Sequence, residues 1–377
     1  MPSPIVDNRV AFVDVAKGLC ILLVVMMHAT LGVEKATGET TILSGFIEWA
    51  KPFRMPDFFL ISGLFLASRI NRPWQSYLDS KVVYFAYFYV LWLTIQFALK
   101  APGMIAGHGL EATAWAWVSG LVQPWGTLWF IYMLALFFVV AKLLEAAPKA
   151  LVWVAAAALY TAQPHTGSLI IDEFAARFVF FYTGYWAAPF IFQFASRVAQ
   201  SPVAVVAGAL AAWAAINWLL VAEGLAFMAG LSLWISYAGV AAVIALSVLL
   251  APTSPGGALA YLGRNSIKVY LAFPLFMGPA RVVALKLEAF IPDWGAALIS
   301  TAAGVAGALV LAHVVQGTRF GFLFARPSSW KLMATGPGST RARPQVVGPD
   351  RHPGGVAAGA AGGAASTTRF KLARPVS

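Results

Sequence analysis

Long apolar stretches separated by short polar segments run through most of the chain. They are continuous and rich in Ala and Leu, and they do not alternate with polar residues as the strands of a membrane barrel do. Their length of about 18 to 25 residues is that of a helix that crosses a hydrocarbon core of about 30 Å. The pattern predicts an all-α, polytopic helix bundle with about ten transmembrane helices. The predicted spans lie near 15–33, 53–69, 81–100, 125–143, 150–163, 173–195, 203–222, 226–250, 262–284 and 295–316.

Two segments depart from this pattern. The segment 110–121 (LEATAWAWVSGL) is short and contains polar residues, which is typical of a re-entrant or interfacial helix. Residues 326–377 contain GPGSTRARP and GGVAAGAAGGAAS, which have too few large apolar residues to build a core. We therefore expect a transmembrane domain at 1–325 and a basic, Gly/Ala/Pro-rich, disordered cytoplasmic tail at 326–377.

The start of the first span is expected to remain in the protein. Asp14 and Lys17 lead directly into an apolar run that is longer than the apolar region of a cleavable signal peptide.

Composition excludes a soluble globular domain. Of the 377 residues, 60% are hydrophobic and 11% are charged, whereas soluble domains have roughly 25% charged residues. The net charge is +11, and 326–377 carries eight Lys and Arg against Asp350 alone, which leaves +7 in the tail. No nucleic-acid-binding motif accompanies this charge, so we expect membrane lipids and no nucleic acid as partners. Cys20 is the only cysteine, so neither an intrachain disulfide nor a metal site is expected.

Lys and Arg gather in alternate loops, and acidic residues gather in the loops between them. Because basic loops stay on the cytoplasmic side, this bias predicts that both termini are cytoplasmic. The basic residues that carry the bias are Arg9, Lys17, Arg69, Arg72, Lys81, Lys142, Lys149, Arg197, Arg264 and Lys268.

The first span, KGLCILLVVMMH, has a titratable residue at each end. Lys17 and His28 are 11 residues apart, so they share one face of a helix and lie about 16 Å apart along its axis. Lys17 is expected at the cytoplasmic boundary, where lysines also snorkel toward the headgroups for purely structural reasons. His28 is expected deeper in the membrane, where ionisable side chains line a cavity or have a partner.

Four segments, in order, resemble motifs of the membrane-bound acyltransferase-3 family. RVAFVDVAKGLCILLVVMMH is similar to the first helix of that family, in which a basic residue precedes a histidine by the same spacing. RMPDFFLISGLFL, TLWFIYML and LGRNSIKVYL resemble its second-helix motif, its Leu-Trp-Phe motif and its late Asn-Ser motif. The family includes bacterial O-acetyltransferases that act on cell-envelope polysaccharides.

Three positions depart from the family pattern. Lys17 stands where an arginine is commoner, and Asp57 stands where many members have an apolar residue. Phe273 and Pro274 follow the late Tyr-Leu, where a histidine is usual.

The resemblance implies a multi-pass acyltransferase of the bacterial inner membrane. The expected reaction moves an acyl group, with acetyl as the first candidate, from cytoplasmic acyl-CoA to a hydroxyl of an envelope glycan or glycolipid. His28 could be the general base or the nucleophile that carries the acyl group, and both roles remain open. Asp57 could orient His28, or it could form a structural ion pair with Arg54 at i, i+3.

The donor is expected near Lys17 and the segment Gly263–Ser266. Lys17 could hold a phosphate of coenzyme A as a point charge. Asn265 or Ser266 could cap a helix whose exposed N–H groups attract anions, and Arg264 and Lys268 add positive charge. An ordinary capped helix with positive-inside residues explains the same pattern.

Arg54, Ser62 and Arg177 are candidate substrate-binding residues. Arg177 could bind an anionic acceptor, or it could neutralise Asp172 and Glu173. Ser62 in LISGLF could equally be a small residue that permits close helix packing.

A second function class fits the same polar positions. A transporter or flippase for an envelope precursor could use His28 and Asp57 as a substrate or proton relay. The identity of the acyl group and acceptor, and assembly as a homo-oligomer, are left open by the sequence.

Overall fold

The computed structural model describes residues 4–287 and 289–332, with side chains from residue 11 onward. Within these residues the chain is helical and has no strand, as the apolar pattern predicts. The α-helices are α1 (Pro4–Thr37), α2 (Leu43–Gly63), α3 (Trp74–Leu78), α4 (Tyr84–Val122), α5 (Trp129–Leu143), α6 (Lys149–Ala162), α7 (Leu169–Trp186), α8 (Ala188–Gln200), α9 (Val203–Ala222), α10 (Leu231–Leu250), α11 (Ser254–Arg264), α12 (Ser266–Leu285) and α13 (Asp293–Val315).

The helices lie where the spans are predicted, but two of the predicted spans are each divided between two helices. The span predicted at 173–195 is divided into α7 and α8, because Pro189 lies at the start of α8 and lacks the N–H that would continue the helix. The span predicted at 262–284 is divided at Asn265 between α11 and α12.

The count of ten spans and the cytoplasmic position of the termini stay predictions. By length and composition, six helical stretches of the described chain could cross a membrane. They are Ala11–Thr37, Trp74–Leu143, Val203–Ala222, Leu231–Leu250, Ser266–Leu285 and Asp293–Val315.

The segment 110–121 forms a helical hairpin with the first part of α4. Gly109 has a φ of 81° and a ψ of 167°, which interrupts the helix. The second part then runs back along the first, because the Tyr89 hydroxyl donates to the Gly120 carbonyl and Trp117 Nε1 donates to Thr94 Oγ1 at 3.4 Å. A segment that turns back in this way agrees with the re-entrant alternative, whereas its depth in the membrane stays a prediction.

Two prolines in α2 leave backbone carbonyls without their usual helical partners. Pro56 has no N–H, so the carbonyl of Pro52 loses its bond within the helix. Ser236 Oγ of α10 donates to that carbonyl at 2.6 Å. A second bond from a neighbouring helix reaches α2 one turn earlier, where Asn217 Nδ2 of α9 donates to the carbonyl of Trp49 at 2.9 Å. Side chains of neighbouring helices thus hold the part of α2 that carries Arg54.

Replacing Ser236 with Ala should destabilise the protein by about 1–3 kcal/mol, because the buried Pro52 carbonyl would lose its donor. Ser247→Ala is a matched control, since this serine is also buried in α10 and its hydroxyl has no partner among the described residues. Thermal unfolding of both variants in detergent would measure the effect. Equal unfolding temperatures for Ser236→Ala and Ser247→Ala would contradict this account.

Glycines bring two pairs of helices into close backbone contact. Gly63 of α2 faces the carbonyl of Phe181, and Gly184 of α7 faces the carbonyl of Leu60, so closely that a Cβ at either glycine would overlap the carbonyl. This crossing joins the helix that carries Arg54 to the helix that carries Arg177. Gly18 of α1 and Gly263 of α11 form the second crossing of this kind, which brings the late motif beside Lys17.

The first part of the predicted tail packs against the helical region. Arg326 Nη2 lies 2.7 Å from the Asp79 carboxylate, and the backbone N–H of Leu332 donates to the same carboxylate at 2.7 Å. Residues 326–332 therefore belong with the helical part of the chain. The remainder of the predicted tail, 333–377, lies outside the described residues.

Candidate active site

Two cavities lie along the face of α1 that contains Lys17 and His28. The first, the lysine cavity, has a volume of about 140 Å³ and is lined by Lys17, Ser62 and Ser266 among other residues. The second, the histidine cavity, has a volume of about 160 Å³ and is lined mainly by residues of α1, which include His28, and of α2, with further residues from α5, α7 and α12. The helical spacing of Lys17 and His28 thus places one titratable residue in each cavity.

Three aromatic residues line both cavities and separate them. Phe58, Phe130 and Tyr270 are common to the two linings. The ring centroids of Phe58 and Phe130 are 4.6 Å apart, and those of Phe130 and Tyr270 are 5.5 Å apart. The Tyr270 hydroxyl donates to the carbonyl of Thr127, which fixes this ring. We call these three residues the aromatic constriction.

His28 packs against an aromatic ring and retains its hydrogen-bonding capacity. Its ring stacks on Phe273, with centroids 5.5 Å apart and an interplanar angle of 29°. Phe273 follows the late Tyr-Leu, where the family resemblance leads one to expect a histidine. Among the hydrogen bonds of the described residues, none involves the imidazole, so both ring nitrogens are available to a substrate or to water.

The predicted roles of Asp57 receive no support from the geometry. Asp57 is 1% exposed and lines neither cavity, and its carboxylate oxygens have no hydrogen-bond partner in the described part of the chain. The expected ion pair with Arg54 is absent, since Arg54 Nη1 donates instead to the carbonyl of Ile47 at 3.3 Å. Side chains on a helix lean toward its N-terminus, and this direction takes Arg54 away from Asp57.

The residues predicted to bind the donor lie near one another, and donor binding itself stays a prediction. Helix α12 begins at Ser266, as expected, and Ser266 shares the lysine cavity with Lys17. The predicted Asn265 cap does not form among the described hydrogen bonds, and Asn265 Nδ2 donates to the carbonyl of Tyr261 at 3.0 Å. Its Oδ1 accepts a hydrogen bond from Lys268 Nζ at 2.9 Å. Asn265 and Lys268 are thus hydrogen-bonded to each other next to Ser266, and neither residue lines the lysine cavity.

Positive charge accumulates around the lysine cavity. Arg264 is more than half exposed, and its guanidinium lies 3.8 Å from the Asp14 carboxylate. Lys81 Nζ lies 4.4 Å from the ring centroid of Phe138. The charges of Arg69, Arg72 and Lys17 are near enough to act on Lys81. This end of the bundle therefore carries more basic than acidic side chains. The sequence pattern indicated Arg69, Arg72 and Lys81 only as topology signals, whereas Lys17 and Arg264 were also predicted to bind the donor.

The three candidate substrate-binding residues are divided between the cavities. Arg54 and Arg177 line the histidine cavity, whereas Ser62 lines the lysine cavity. Ser62 Oγ donates to the carbonyl of Phe58 at 2.7 Å, a bond within its own helix that suits a packing role. Arg177 Nε lies 3.1 Å from the Glu173 carboxylate, so Arg177 neutralises this acid in part.

The four motif segments meet at these two cavities. The first supplies Lys17 and His28, and the second supplies Arg54, Phe58 and Ser62. The third supplies Thr127 and Phe130, and the fourth supplies Ser266 and Tyr270. Arg177 of α7 lines the histidine cavity from outside the four motifs. Segments that are far apart in sequence thus line two adjacent cavities.

A comparison with known families agrees with this arrangement. The sequence profile of the acyltransferase domain family, acyltransferase-3, matches residues 10–313. The chain belongs to this family. The resemblance drawn from the four motifs is therefore confirmed, and the family suggests an acyltransferase.

One curated relative adds a membrane context. The inner membrane protein YcfT of Escherichia coli (strain K12) is 29% identical over 155 residues, which cover 35% of this chain and 43% of that protein. The match thus spans less than half the length of the relative. No solved structure matches the chain. With several apolar helices and this relative, the acyltransferase-3 protein is a multi-pass membrane protein.

Thr127, Phe130 and Tyr270 were not singled out by the sequence analysis, although all three lie in the quoted motifs. Their position inside otherwise apolar motif segments was the available signal.

Among the described residues, no group of three or more His, Cys, Asp or Glu side chains could hold a metal ion.

Proposed function

We propose that the protein is an integral-membrane O-acyltransferase that moves an acyl group, with acetyl as the first candidate, from cytoplasmic acyl-CoA to a hydroxyl of a cell-envelope glycan or glycolipid. The observation that carries the proposal is the pair of cavities along α1, built by the motifs of an acyltransferase family. One cavity has a cationic entrance at Lys17, and the other contains His28.

The positive-inside pattern supports an orientation with the lysine cavity toward the cytoplasm. The pantetheine arm of the donor would then enter beside Lys17 and bring its thioester to the aromatic constriction. The acceptor would reach His28 from the other side. The printed name of the relative YcfT supports placement in a bacterial inner membrane.

The chemistry requires a group that takes a proton from the acceptor. In the general-base route, His28 removes the hydroxyl proton as the oxygen attacks the thioester carbonyl. The C–O bond forms, the C–S bond breaks, and the proton passes to the thiolate of coenzyme A. In the nucleophilic route, an imidazole nitrogen attacks the thioester carbonyl, the C–S bond breaks, and coenzyme A leaves as the thiol with the imidazole proton. The acceptor oxygen then attacks the acyl-imidazole, the C–N bond breaks, and the hydroxyl proton returns to the imidazole. Both routes use the same histidine.

The reaction can be tested with purified protein in detergent or lipid nanodiscs. Release of free thiol from acetyl-CoA, alone and with an envelope lipid fraction, would measure donor use. Mass spectrometry of glycans from a deletion strain would identify the acceptor. Absence of any acyl-CoA turnover in folded protein would favour a transporter or flippase, although the predicted relay through Asp57 has little geometric support, since Asp57 lines neither cavity.

Replacing Lys17 with Ala should weaken binding of acyl-CoA about 10- to 100-fold, because a charge-assisted contact contributes about 1.5–3 kcal/mol. Lys17→Arg should have a small effect, since the charge is kept. Lys35→Ala is the matched control, because Lys35 is an exposed lysine in the last turn of the same helix. Calorimetry with acetyl-CoA would measure the affinities. If Lys17→Ala and Lys35→Ala bind the donor equally well, Lys17 is only a topology signal.

A further inference from the structure

The histidine cavity contains two arginines and no acidic residue. Arg54 and Arg177 both line it, together with His28, and its lining includes no carboxylate side chain. The two guanidinium groups therefore share one cavity. Arg177 is paired with Glu173, whereas no salt bridge among the described residues involves Arg54. Like charges repel more strongly where water is scarce, so positive charge in this cavity favours an anionic ligand.

Arg54 is deeply buried and has few partners. It is 6% exposed, and its Nε has no hydrogen-bond acceptor in the described part of the protein. Its Nη1 bond to the Ile47 carbonyl, at 3.3 Å, is long and involves a neutral acceptor. A buried guanidinium with an unpaired N–H group is costly, and this cost is recovered when a ligand supplies the acceptor.

Two further donors face the same space. Arg177 is bonded to Glu173 through Nε alone among the described hydrogen bonds, which leaves its two terminal nitrogens to a ligand. Thr127 Oγ1 is buried, and no residue in the described ranges accepts its hydrogen bond. A ligand oxygen could therefore receive hydrogen bonds from α2, from α7 and from the turn before α5.

We propose that the histidine cavity binds an oxyanion, a carboxylate or a phosphate, that belongs to the acyl acceptor. The inference rests on the proposed acyltransferase function and narrows its acceptor to acidic glycans or glycolipids. The planar fork of an arginine matches a carboxylate or phosphate with two parallel hydrogen bonds. The acetyl group is neutral, and the phosphates of coenzyme A are assigned to the lysine cavity, which contains Lys17 and not the two arginines. With acetyl-CoA as donor, the anion in the histidine cavity is therefore assigned to the acceptor.

The size of the cavity fits this assignment. Its volume of about 160 Å³ is below the roughly 300–1,000 Å³ of sites that enclose a whole drug-sized ligand. The cavity therefore encloses the anionic group and the adjacent hydroxyl, while the rest of the glycan stays outside it.

A matched pair of sugars tests the inference by binding alone. Phenyl β-D-glucuronide and phenyl β-D-glucoside differ only in a carboxylate against a hydroxymethyl group. The wild-type protein in detergent should bind the glucuronide about 10- to 100-fold more tightly. Competition by glucose 6-phosphate against glucose examines the phosphate alternative in the same assay.

Arginine variants identify the residues responsible. Arg54→Gln and Arg177→Gln should each lose most of the preference for the acidic sugar, and Arg54→Lys should keep part of it. Arg197→Gln is the matched control, because Arg197 is exposed on α8 and lines neither cavity. Unfolding temperatures separate lost binding from lost folding. A preference for the acidic sugar that survives in both folded Gln variants overturns the assignment.

A second measurement distinguishes the acceptor from the donor as the source of the anion. Thiol release from acetyl-CoA and from succinyl-CoA should proceed without an Arg54-dependent preference for the succinyl group. Such a preference, without selection of acidic sugars, would mean that the anion arrives on the acyl group, and it would overturn the inference. Equal binding of both phenyl sugars, with equal competition by glucose 6-phosphate and glucose, would also overturn the inference. If such a protein still releases thiol in a His28-dependent manner, the acyltransferase function stands.

Discussion

Replacing His28 with Gln should lower acyl transfer by at least about 10²-fold, the contribution expected of a general base or nucleophile. The amide keeps a hydrogen-bonding side chain of similar length beside Phe273, but it neither accepts a proton near neutral pH nor attacks a thioester. His28→Ala should be equally inactive, and it also removes the stacked ring contact. Turnover of acetyl-CoA by purified variants, with an unfolding curve for each, measures the effect.

His313→Gln is the control for this change. His313 lies in the last turn of α13, is exposed and lines neither cavity, so the same chemical substitution there should leave turnover unchanged. Near-normal turnover in folded His28→Gln would show that the imidazole has no part in the chemistry.

The two routes open to His28 can be separated once the loss is established. A nucleophilic histidine should accumulate acyl-protein when acetyl-CoA is supplied without an acceptor, and this adduct would be found on the α1 peptide by mass spectrometry. A general base leaves the protein unlabelled. The stacked contact with Phe273 is compatible with both, because neither ring nitrogen is bonded to protein in the described residues.

Features that depend on local periodicity could be predicted from the sequence. The spacing of Lys17 and His28 placed them on one face of a helix, and both residues line cavities on that face. The helix start at Ser266 followed from the turn residues before it. Such predictions need only the 3.6-residue repeat and local backbone preferences.

Features that depend on neighbouring helices could not be predicted in the same way. The i, i+3 spacing of Arg54 and Asp57 allowed an ion pair, but it did not reveal that Arg54 would contact Ile47 or meet Arg177 of α7. The Asn265 side chain forms hydrogen bonds with Tyr261 and Lys268, and it does not form the predicted helix cap. The choice among alternatives of similar energy is made by tertiary packing, which a single sequence does not display.

The number of membrane-spanning helices could not be predicted from the hydropathy pattern either. Hydropathy measures whether a segment is apolar, and it does not separate a spanning helix from a buried or re-entrant one. The break at Gly109, after which α4 folds back on itself, illustrates this limit. A glycine inside an apolar run predicts a weak point in a helix, but the reversal depends on the contacts between Tyr89 and Gly120.

Replacing Gly184 with Ala should impair folding and activity together, because the added Cβ would overlap the carbonyl of Leu60 where α2 and α7 cross. Overpacking of this kind costs about 1–3 kcal/mol and sometimes more. The crossing holds the helix of Arg54 against the helix of Arg177, which is about 10 Å from Gly184 along α7. Since a displacement of about 1 Å can cost 10²-fold in rate, turnover should fall further than stability alone explains.

Gly208→Ala supplies the comparison, because a Cβ at this glycine of α9 would meet no atom within 4 Å. Alanine is a better helix former than glycine by about 1 kcal/mol, so this variant should be as stable as the wild type or more stable, with unchanged turnover. Unfolding temperature and acetyl-CoA turnover, measured side by side, decide the matter. Equal unfolding temperatures for Gly184→Ala and Gly208→Ala, with full turnover in both, would show that the close crossing of α2 and α7 does not position the two arginines. The geometry of the histidine cavity would then be maintained by the side-chain bonds from α9 and α10 to α2.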